Sequence, residues 1–210
     1  MQGFFNNYYY LISLGVIILA MVPFVVSFEG RKPQAREIVL IAVLIAIAVV
    51  SRAAFFMVPQ FKPIAAFVII AGVCLGPQSG FMVGALSAFV SNFLFGQGPW
   101  TPWQMFALGV IGALAGVFFA RRAADRRRLA LLCLYGGVSV LVLYGLLADT
   151  ASAMIFTATL NLPALLAVYA AGLPFNAIFA GSTVLFLLLL ARPMIEKLER
   201  VKKKYGLLIT

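Results

Sequence analysis

The chain has 210 residues, of which 64% are hydrophobic and only 10% carry a charge. Soluble domains use roughly 25% charged residues, and a membrane crossing needs about 20 apolar residues, so about six to eight crossings would use up this chain. The composition therefore excludes a soluble catalytic or nucleotide-binding domain. We expect a single transmembrane domain over 1–210, all-α, built as a polytopic membrane helical bundle.

The net charge of +10 is distributed in the way that membrane topology predicts, not nucleic-acid binding. Of the 16 Lys and Arg residues, all but Arg52 and Lys62 lie in the clusters 31–36, 121–128 and 192–204. Cytoplasmic loops of membrane proteins collect Lys and Arg. The chain has no His, and its 2 Cys lie in apolar stretches. We therefore expect no metal site, no disulfide framework and no catalytic residues.

Seven apolar segments are predicted to cross the membrane. The first has no positive flank and is too long for the core of a cleaved signal peptide, so we expect it to remain as an extra N-terminal helix. The other six form a predicted core over 37–192, followed by a cytoplasmic tail over 193–210. In chain order, the predicted crossings are 4–27, 37–58, 61–76, 79–95, 103–120, 129–148 and 173–192.

An eighth apolar stretch, 153–171, is predicted not to cross. If it does not, all three basic clusters lie on the cytoplasmic side, with the N-terminus outside and the C-terminus inside. The run Asn161-Leu162-Pro163 interrupts the stretch, and proline removes a helix donor that lipid cannot replace. We expect a partly helical outer loop or re-entrant segment there. The alternative is eight crossings, which would leave the basic C-terminal tail outside, against the rule that basic segments lie in the cytoplasm.

Small residues recur every four positions in several predicted crossings, a spacing that lets helix backbones approach closely in lipid. We expect close helix packing at these positions, which are Gly80, Gly84 and Ala88, Gly112 and Gly116, and Ala42 and Ala46.

The predicted outer surface carries the residues most suited to binding a ligand. Arg52, Phe55 and Phe56 share one helix face, and the loop 96–103 holds both tryptophans of the chain. Ionisable groups in membrane spans are expensive and mark function. The alternatives are that Arg52 snorkels to the headgroups and that the tryptophans form an interfacial belt. The predicted site, enclosed by 59–62, 96–103 and 153–171, consists of Arg52, Phe55, Phe56, Gln60, Lys62, Asn92, Gln97, Trp100, Trp103, Gln104 and Asn161.

Two transport mechanisms lack the residues that they need. Asp149 is the one acid predicted outside the cytoplasmic loops, so no pair of membrane carboxylates is available for a proton relay or a cation site. No segment resembles a selectivity filter or a ring of charges. An autonomous ion-coupled transporter and a channel are therefore disfavoured.

Several short motifs in order resemble one family of transport proteins. Ala42 and Ala46 form an Ala-x-x-x-Ala motif in the cytoplasmic half of a helix that runs from Arg36 to Arg52. They are followed by Gln60-Phe61-Lys62-Pro63, by Gly-Pro-Gln-Ser-Gly at 76–80, by Ser91-Asn92-Phe93 and by Gly96-Gln97-Gly98-Pro99-Trp100. In this order, over about 36–120, the motifs resemble the substrate-binding S components of energy-coupling-factor (ECF) vitamin transporters. The extra crossing at 4–27 departs from the six helices usual in that family.

The resemblance implies a substrate-binding subunit in a bacterial cell membrane that captures a vitamin outside the cell. It implies a membrane scaffold subunit and two ATPase subunits as partners; ATP would be used by the ATPases and no cofactor held by this chain. It also implies that Ala42 and Ala46 dock the scaffold. The chain looks most like the cobalamin-specific type. The alternatives are a secondary transporter of a small organic solute and a non-transport membrane scaffold protein.

Overall fold

The computed structural model describes residues 2–31, 33–119, 126–157 and 161–206. These residues form an all-α bundle in which no β-strand occurs, as the sequence predicts. In chain order, the elements of the described ranges are α1 (Gln2–Gly30), α2 (Ala35–Ala54), α3 (Ile64–Leu75), α4 (Pro77–Phe95), α5 (Thr101–Phe119), α6 (Arg126–Val138), a π-helical turn (Ser139–Tyr144), α7 (Gly145–Phe156) and α8 (Leu162–Tyr205).

Most of the predicted crossings coincide with long apolar helices. Within the described ranges, 5 helices are long and apolar enough to cross a membrane: α2, α4, α5, the continuous helix Arg127–Phe156 and α8. The predicted segment 4–27 lies within α1. The predicted segments 129–148 and 173–192 are parts of helices that extend well beyond them.

The predicted crossing 61–76 is wrong in its length. Helix α3 has 12 residues, which at about 1.5 Å per residue span roughly 18 Å, whereas a hydrocarbon core is about 30 Å thick. Every residue of α3 is buried, so protein surrounds it instead of lipid. The predicted crossing 37–58 also ends early, at Ala54. Its end is explained by Pro59, whose ring would clash with the carbonyl of Phe55 in a continuing helix.

Helices α7 and α8 form an antiparallel pair, and the reversal between them falls inside the stretch 153–171. Asn176 Nδ2 donates to Asp149 Oδ2 over 2.8 Å, and Leu187 packs further along against Gly136. Pro163 does not interrupt a helix, because it occupies the first turn of α8, where no N–H is needed. No single helix therefore runs through 153–171.

The three central helices α3, α4 and α5 pack backbone against backbone at glycines. A Cβ atom on Gly80 would lie 2.5 Å from the carbonyl oxygen of Gly112 and 2.6 Å from Cα of Gly72. A Cβ on Gly84 would lie 2.3 Å from the carbonyl oxygen of Leu108. The close packing predicted for these helices is confirmed. Ala42 and Ala46 differ, because both are exposed on the outside of α2.

Helix α1 lies against α4, α5 and α7. The ring of Phe24 stacks on that of Phe81 with centroids 4.1 Å apart, and the buried Ile17 packs with Trp103 and Ala151. The extra N-terminal helix thus covers the side of the bundle on which the tryptophans lie.

One end of the bundle carries ion pairs between its basic residues and nearby acids. Arg31 pairs with the buried Glu37, and Ser79 bonds to both. Lys202 Nζ, near the end of α8, donates to the carbonyl oxygen of Cys74 over 2.7 Å and contacts Glu199. We call this the basic end, and the candidate functional residues lie toward the opposite end.

Candidate functional site

A chain of hydrogen-bonded side chains joins α2, α4 and α5 at the end opposite the basic end. Arg52, in the last turn of α2, donates through Nη1 to Ser91 and to Asn92 Oδ1, the latter over 2.9 Å. Asn92 Nδ2 in turn donates to Gln104 Oε1 over 2.9 Å and to Thr101 Oγ1 over 3.1 Å. Asn92 is 1% exposed, so this polar chain runs through the interior of an apolar bundle.

The connection 55–63 between α2 and α3 folds against α8 through aromatic rings. The ring of Phe55 meets that of Phe61 at 5.5 Å and that of Phe186 at 5.2 Å. Gln60 has a φ of 57°, a left-handed conformation uncommon for residues other than glycine. This tight turn allows Lys62, two residues later, to enter the bundle.

Lys62 is held by its backbone, while its ammonium group lies among aromatic rings. Its N–H and its carbonyl oxygen lie 3.3 and 3.1 Å from the hydroxyl of Ser182. Its Nζ lies 4.5 Å from the ring centroid of Phe179 and 5.7 Å from that of Tyr144. Both distances are in the range of cation–π contacts. Tyr144 is the last residue of the π-helical turn, a distortion frequent at functional sites.

Arg52 and Lys62 line the same cavity, of about 240 Å³, which we call the cation cavity. The guanidinium carbon of Arg52 lies 4.5 Å from the ring centroid of Phe95, and Phe95 also stacks on Phe56. The complete lining of the cation cavity is Arg52, Phe55, Phe56, Val58, Pro59, Gln60, Lys62 and Phe95.

A second cavity, of about 200 Å³, lies between α5 and α7, and we call it the tryptophan cavity. The ring of Trp100 stacks with that of Phe156 at 6.4 Å across it. Trp103 is buried, and its Nε1 has no hydrogen-bond partner in the described part of the chain. The complete lining is Trp100, Trp103, Gln104, Ala148, Ala151, Ser152 and Phe156.

The polar chain connects the two cavities. Gln104 lines the tryptophan cavity, Arg52 lines the cation cavity, and Asn92 bonds to both residues. A ligand group in one cavity that displaced either side chain would change the hydrogen bonds at the other. The arrangement suits one ligand with a polar or charged part and a ring part, because aromatic walls with a few fixed polar groups are typical of small-molecule pockets.

The structure brings together most of the residues predicted for the site. Of the predicted set, Arg52, Phe55, Phe56, Gln60 and Lys62 line the cation cavity. Trp100, Trp103 and Gln104 line the tryptophan cavity, and Asn92 lies between the two.

Besides Asn92, two predicted residues line neither cavity, and each forms hydrogen bonds close to its own position in the chain. Gln97 Nε2 donates to the carbonyl oxygen of Phe89 over 3.0 Å, and its Oε1 accepts from Thr101 over 2.9 Å. Asn161 is exposed and caps α8 by accepting the N–H of Ala164 over 2.9 Å. Gln97 therefore shapes the loop beside Trp100, while Asn161 begins a helix.

Sequence reasoning missed the residues that surround the ammonium group of Lys62. Tyr144, Phe179 and Ser182 come from helices far along the chain and lie in apolar runs that look like ordinary spans. The one available signal was the presence of hydroxyl groups within those runs.

The comparisons with known proteins agree with this architecture. The family model described as "ECF-type riboflavin transporter, S component" matches residues 32–197. The chain belongs to this family of S components. The matched range begins after α1, so the extra N-terminal helix lies outside it.

Curated relatives match a smaller part of this S component than the family model does. A UPF0397 protein of Vibrio atlanticus is 32% identical over 90 residues, which are 40% of this chain and 49% of the relative. UPF0397 proteins of Aliivibrio fischeri and Aliivibrio salmonicida are 30% identical over the same length and shares. The chain thus spans about half the length of the curated relatives it matches. No solved structure matches the chain.

Proposed function

We propose that the chain is the membrane-embedded substrate-binding subunit of an ECF-type importer. It would capture a vitamin at the end of the bundle that holds the two cavities. The observation that carries the proposal is the hydrogen-bonded chain Arg52–Asn92–Gln104, centred on the buried Asn92, which joins two aromatic-walled cavities. The family match over 32–197 supports the same function.

We propose a vitamin with a planar ring system as the substrate, with riboflavin first and cobalamin second. Riboflavin is the substrate in the name of the matching family model, and cobalamin is the one favoured by the resemblance of the sequence motifs. The two cavities measure about 240 and 200 Å³, below the roughly 300–1,000 Å³ of pockets for drug-sized ligands. A flavin would need the two cavities to join, whereas the much larger cobalamin would need a wide opening of the bundle.

A binding titration tests the site and the substrate together. Purified chain is titrated with riboflavin, cobalamin, thiamine, biotin and folate, as wild type and as the variants Trp100→Ala and Gln104→Ala. We expect one vitamin to bind, with at least about tenfold weaker binding in each variant, because each loses a wall or a polar contact of the tryptophan cavity. Phe118→Ala, an exposed aromatic position on α5, is the matched control.

The outcomes of this titration separate substrate, site and function. Tight binding of a vitamin other than riboflavin would make that vitamin the substrate in place of riboflavin. Unchanged binding in both cavity variants contradicts the site. Absence of binding by every vitamin, with the chain folded, contradicts the function and favours a non-transport scaffold protein.

The proposed partners are a membrane scaffold subunit and two ATPases, and α2 carries the proposed docking face. Ala42 and Ala46 are exposed on α2 next to Val39 and Val43, so this face is free for another helix. We expect Ala42→Trp and Ala46→Trp to weaken co-purification with the scaffold and ATP-dependent uptake, while vitamin binding by the isolated chain is unchanged.

Ala177→Trp, at an exposed position of α8, is the matched control for a bulky residue on the bundle surface. Normal assembly and uptake by both α2 variants would contradict docking through this face. Vitamin uptake by the chain alone, driven by an ion gradient, would instead favour a secondary transporter.

A further inference from the structure

We propose that the substrate carries a compact anionic group, a carboxylate or a phosphate, which binds between Arg52 and Lys62 in the cation cavity. The inference rests on the proposed function, because it describes the ligand of that site. It narrows the substrate from any ring vitamin to one with an acidic group; among flavins it favours flavin mononucleotide over riboflavin, which has no carboxylate or phosphate.

Among the residues that the structure describes, neither Arg52 nor Lys62 has an acidic partner. In the described part of the chain the ion pairs are Arg31–Glu37, Arg192–Glu196 and Lys202–Glu199, all outside the cation cavity. Asp149, on α7, accepts its hydrogen bond from the neutral amide of Asn176. Neither Arg52 nor Lys62 therefore has a carboxylate within 4 Å among these residues.

The described groups in contact with the two cations are neutral. Arg52 donates one nitrogen to a hydroxyl and an amide, and its guanidinium lies over the ring of Phe95. The ammonium group of Lys62 faces the rings of Phe179 and Tyr144. Aromatic faces stabilise a cation but carry no net charge, so no group of the described lining supplies a negative charge to either side chain.

The ammonium group of Lys62 is enclosed by aromatic rings of the bundle. Lys62 lies two residues before α3, every residue of which is buried. Charges enclosed in this way are costly unless paired, and they mark substrate pathways. A bound anion supplies the missing charge at the place where these two cations are held.

The geometry suits a small anion. Both hydrogen bonds that Arg52 makes among the described residues use Nη1, which leaves Nε and Nη2 as a planar fork for two oxygens; Lys62, on the lining of the same cavity, adds a compact point charge. Gln60 supplies a neutral polar group on the lining. A carboxylate and a phosphate both meet this geometry, so both belong in the test.

Matched pairs of vitamins isolate the charge. For phosphate, the pairs are flavin mononucleotide with riboflavin and thiamine monophosphate with thiamine; for carboxylate, nicotinic acid with nicotinamide and biotin with biotinamide. Binding is measured to the full chain in nanodiscs of phosphatidylcholine. We expect the anionic member of at least one pair to bind at least about tenfold more tightly than its partner, the scale of one charged hydrogen bond.

Variants of Lys62 show whether this preference comes from the cation cavity. Lys62→Met removes the charge at similar length, and Lys62→Arg restores it; Lys197→Met, an exposed position of α8, is the control. We expect Lys62→Met to lower the affinity for the anionic member to that for the neutral member, and Lys62→Arg to restore the difference. Thermal unfolding of each variant verifies that it is folded. We expect Arg52→Gln also to abolish the preference for the anionic member.

Three results would overturn the inference. Equal binding of both members of every pair contradicts an anion requirement while leaving vitamin binding intact. An anion preference that persists in both Lys62→Met and Arg52→Gln places the anion elsewhere. If the pairs show no preference and Lys62 instead governs binding of phosphatidylglycerol, the anion is a lipid headgroup. Absence of binding by any vitamin contradicts the proposed function itself.

Discussion

Asn92 connects three helices through a single amide group. It accepts from Arg52 on α2 and donates to Thr101 and Gln104 on α5, and it is 1% exposed. Buried polar groups are costly when they lose a partner, because water cannot replace the lost hydrogen bond. The position of Arg52 in the cation cavity and that of Gln104 in the tryptophan cavity therefore both depend on this residue.

We expect Asn92→Ala to destabilise the protein by about 1–3 kcal/mol, since it leaves a charged and a neutral side chain without partners. The measurement is the shift of thermal unfolding in detergent, alongside vitamin binding. Ser87→Ala is the matched control on the same helix, because the buried hydroxyl of Ser87 has no hydrogen-bond partner among the described residues. Equal melting temperatures for the two variants would show that the polar chain is not structural.

At the scale of elements, the central helices depend on glycine for their close approach. Gly72 on α3, Gly80 on α4 and Gly112 on α5 meet where an added Cβ would lie between 2.1 and 2.6 Å from backbone atoms of a neighbour. Backbone atoms cannot move aside as the end of a flexible side chain can. In lipid, helix association relies on such packing because the solvent supplies little hydrophobic driving force.

We expect Gly80→Ala to lower stability by about 1–3 kcal/mol or more, as overpacking does in a dense interior. Gly181→Ala is the control within a helix, because a Cβ there would meet nothing within 4 Å. Alanine also favours helix over glycine, so Gly181→Ala should be neutral or slightly stabilising. The measurement is the melting temperature of both variants. A Gly80→Ala protein with an unchanged melting temperature would contradict the close packing of these helices.

At the scale of the whole molecule, orientation in the membrane follows from the placement of charge. The basic end holds Arg31 and Lys202, and the cavities lie toward the other end. If the basic end faces the cytoplasm, as the positive-inside rule predicts, the two cavities face outside, where a captured vitamin would enter. The cluster at 121–125 lies outside the described residues and enters this prediction from the sequence alone.

We expect a single cysteine at Leu162, exposed beside the turn between α7 and α8, to react with a membrane-impermeant reagent in intact cells. A cysteine at Lys203, exposed near the end of α8, should react only after permeabilisation. Both variants are made in a background without Cys74 and Cys133, which are buried. The reverse pattern would invert the topology, and labelling of both positions from outside would contradict a cytoplasmic C-terminus.

The sequence by itself determined the class of fold. In lipid, the backbone N–H and C=O groups of an apolar chain of this length must form their hydrogen bonds within helices. It also identified Arg52, Asn92 and Gln104 as candidate site residues, because polar residues are few among the predicted spans and therefore conspicuous. The small-residue spacing at Gly80 and Gly112 predicted close packing for the same reason: a glycine among large apolar residues marks a contact surface.

Only the tertiary structure decided which surfaces meet. The apolar run 61–76 reads as a helix of full membrane-spanning length, yet α3 has only 12 residues, all of them buried, because apolar residues suit a protein interior as well as lipid. The aromatic rings around Lys62 come from residues about 80 and 120 positions away, a pairing that no local pattern encodes. Gln97 and Asn161 have the side chains of ligand-binding residues, but Asn161 bonds to nearby backbone and Gln97 to nearby backbone and the hydroxyl of Thr101. Hydrogen-bonding capacity is a property of the residue, whereas its use depends on which neighbour the folded chain places within reach.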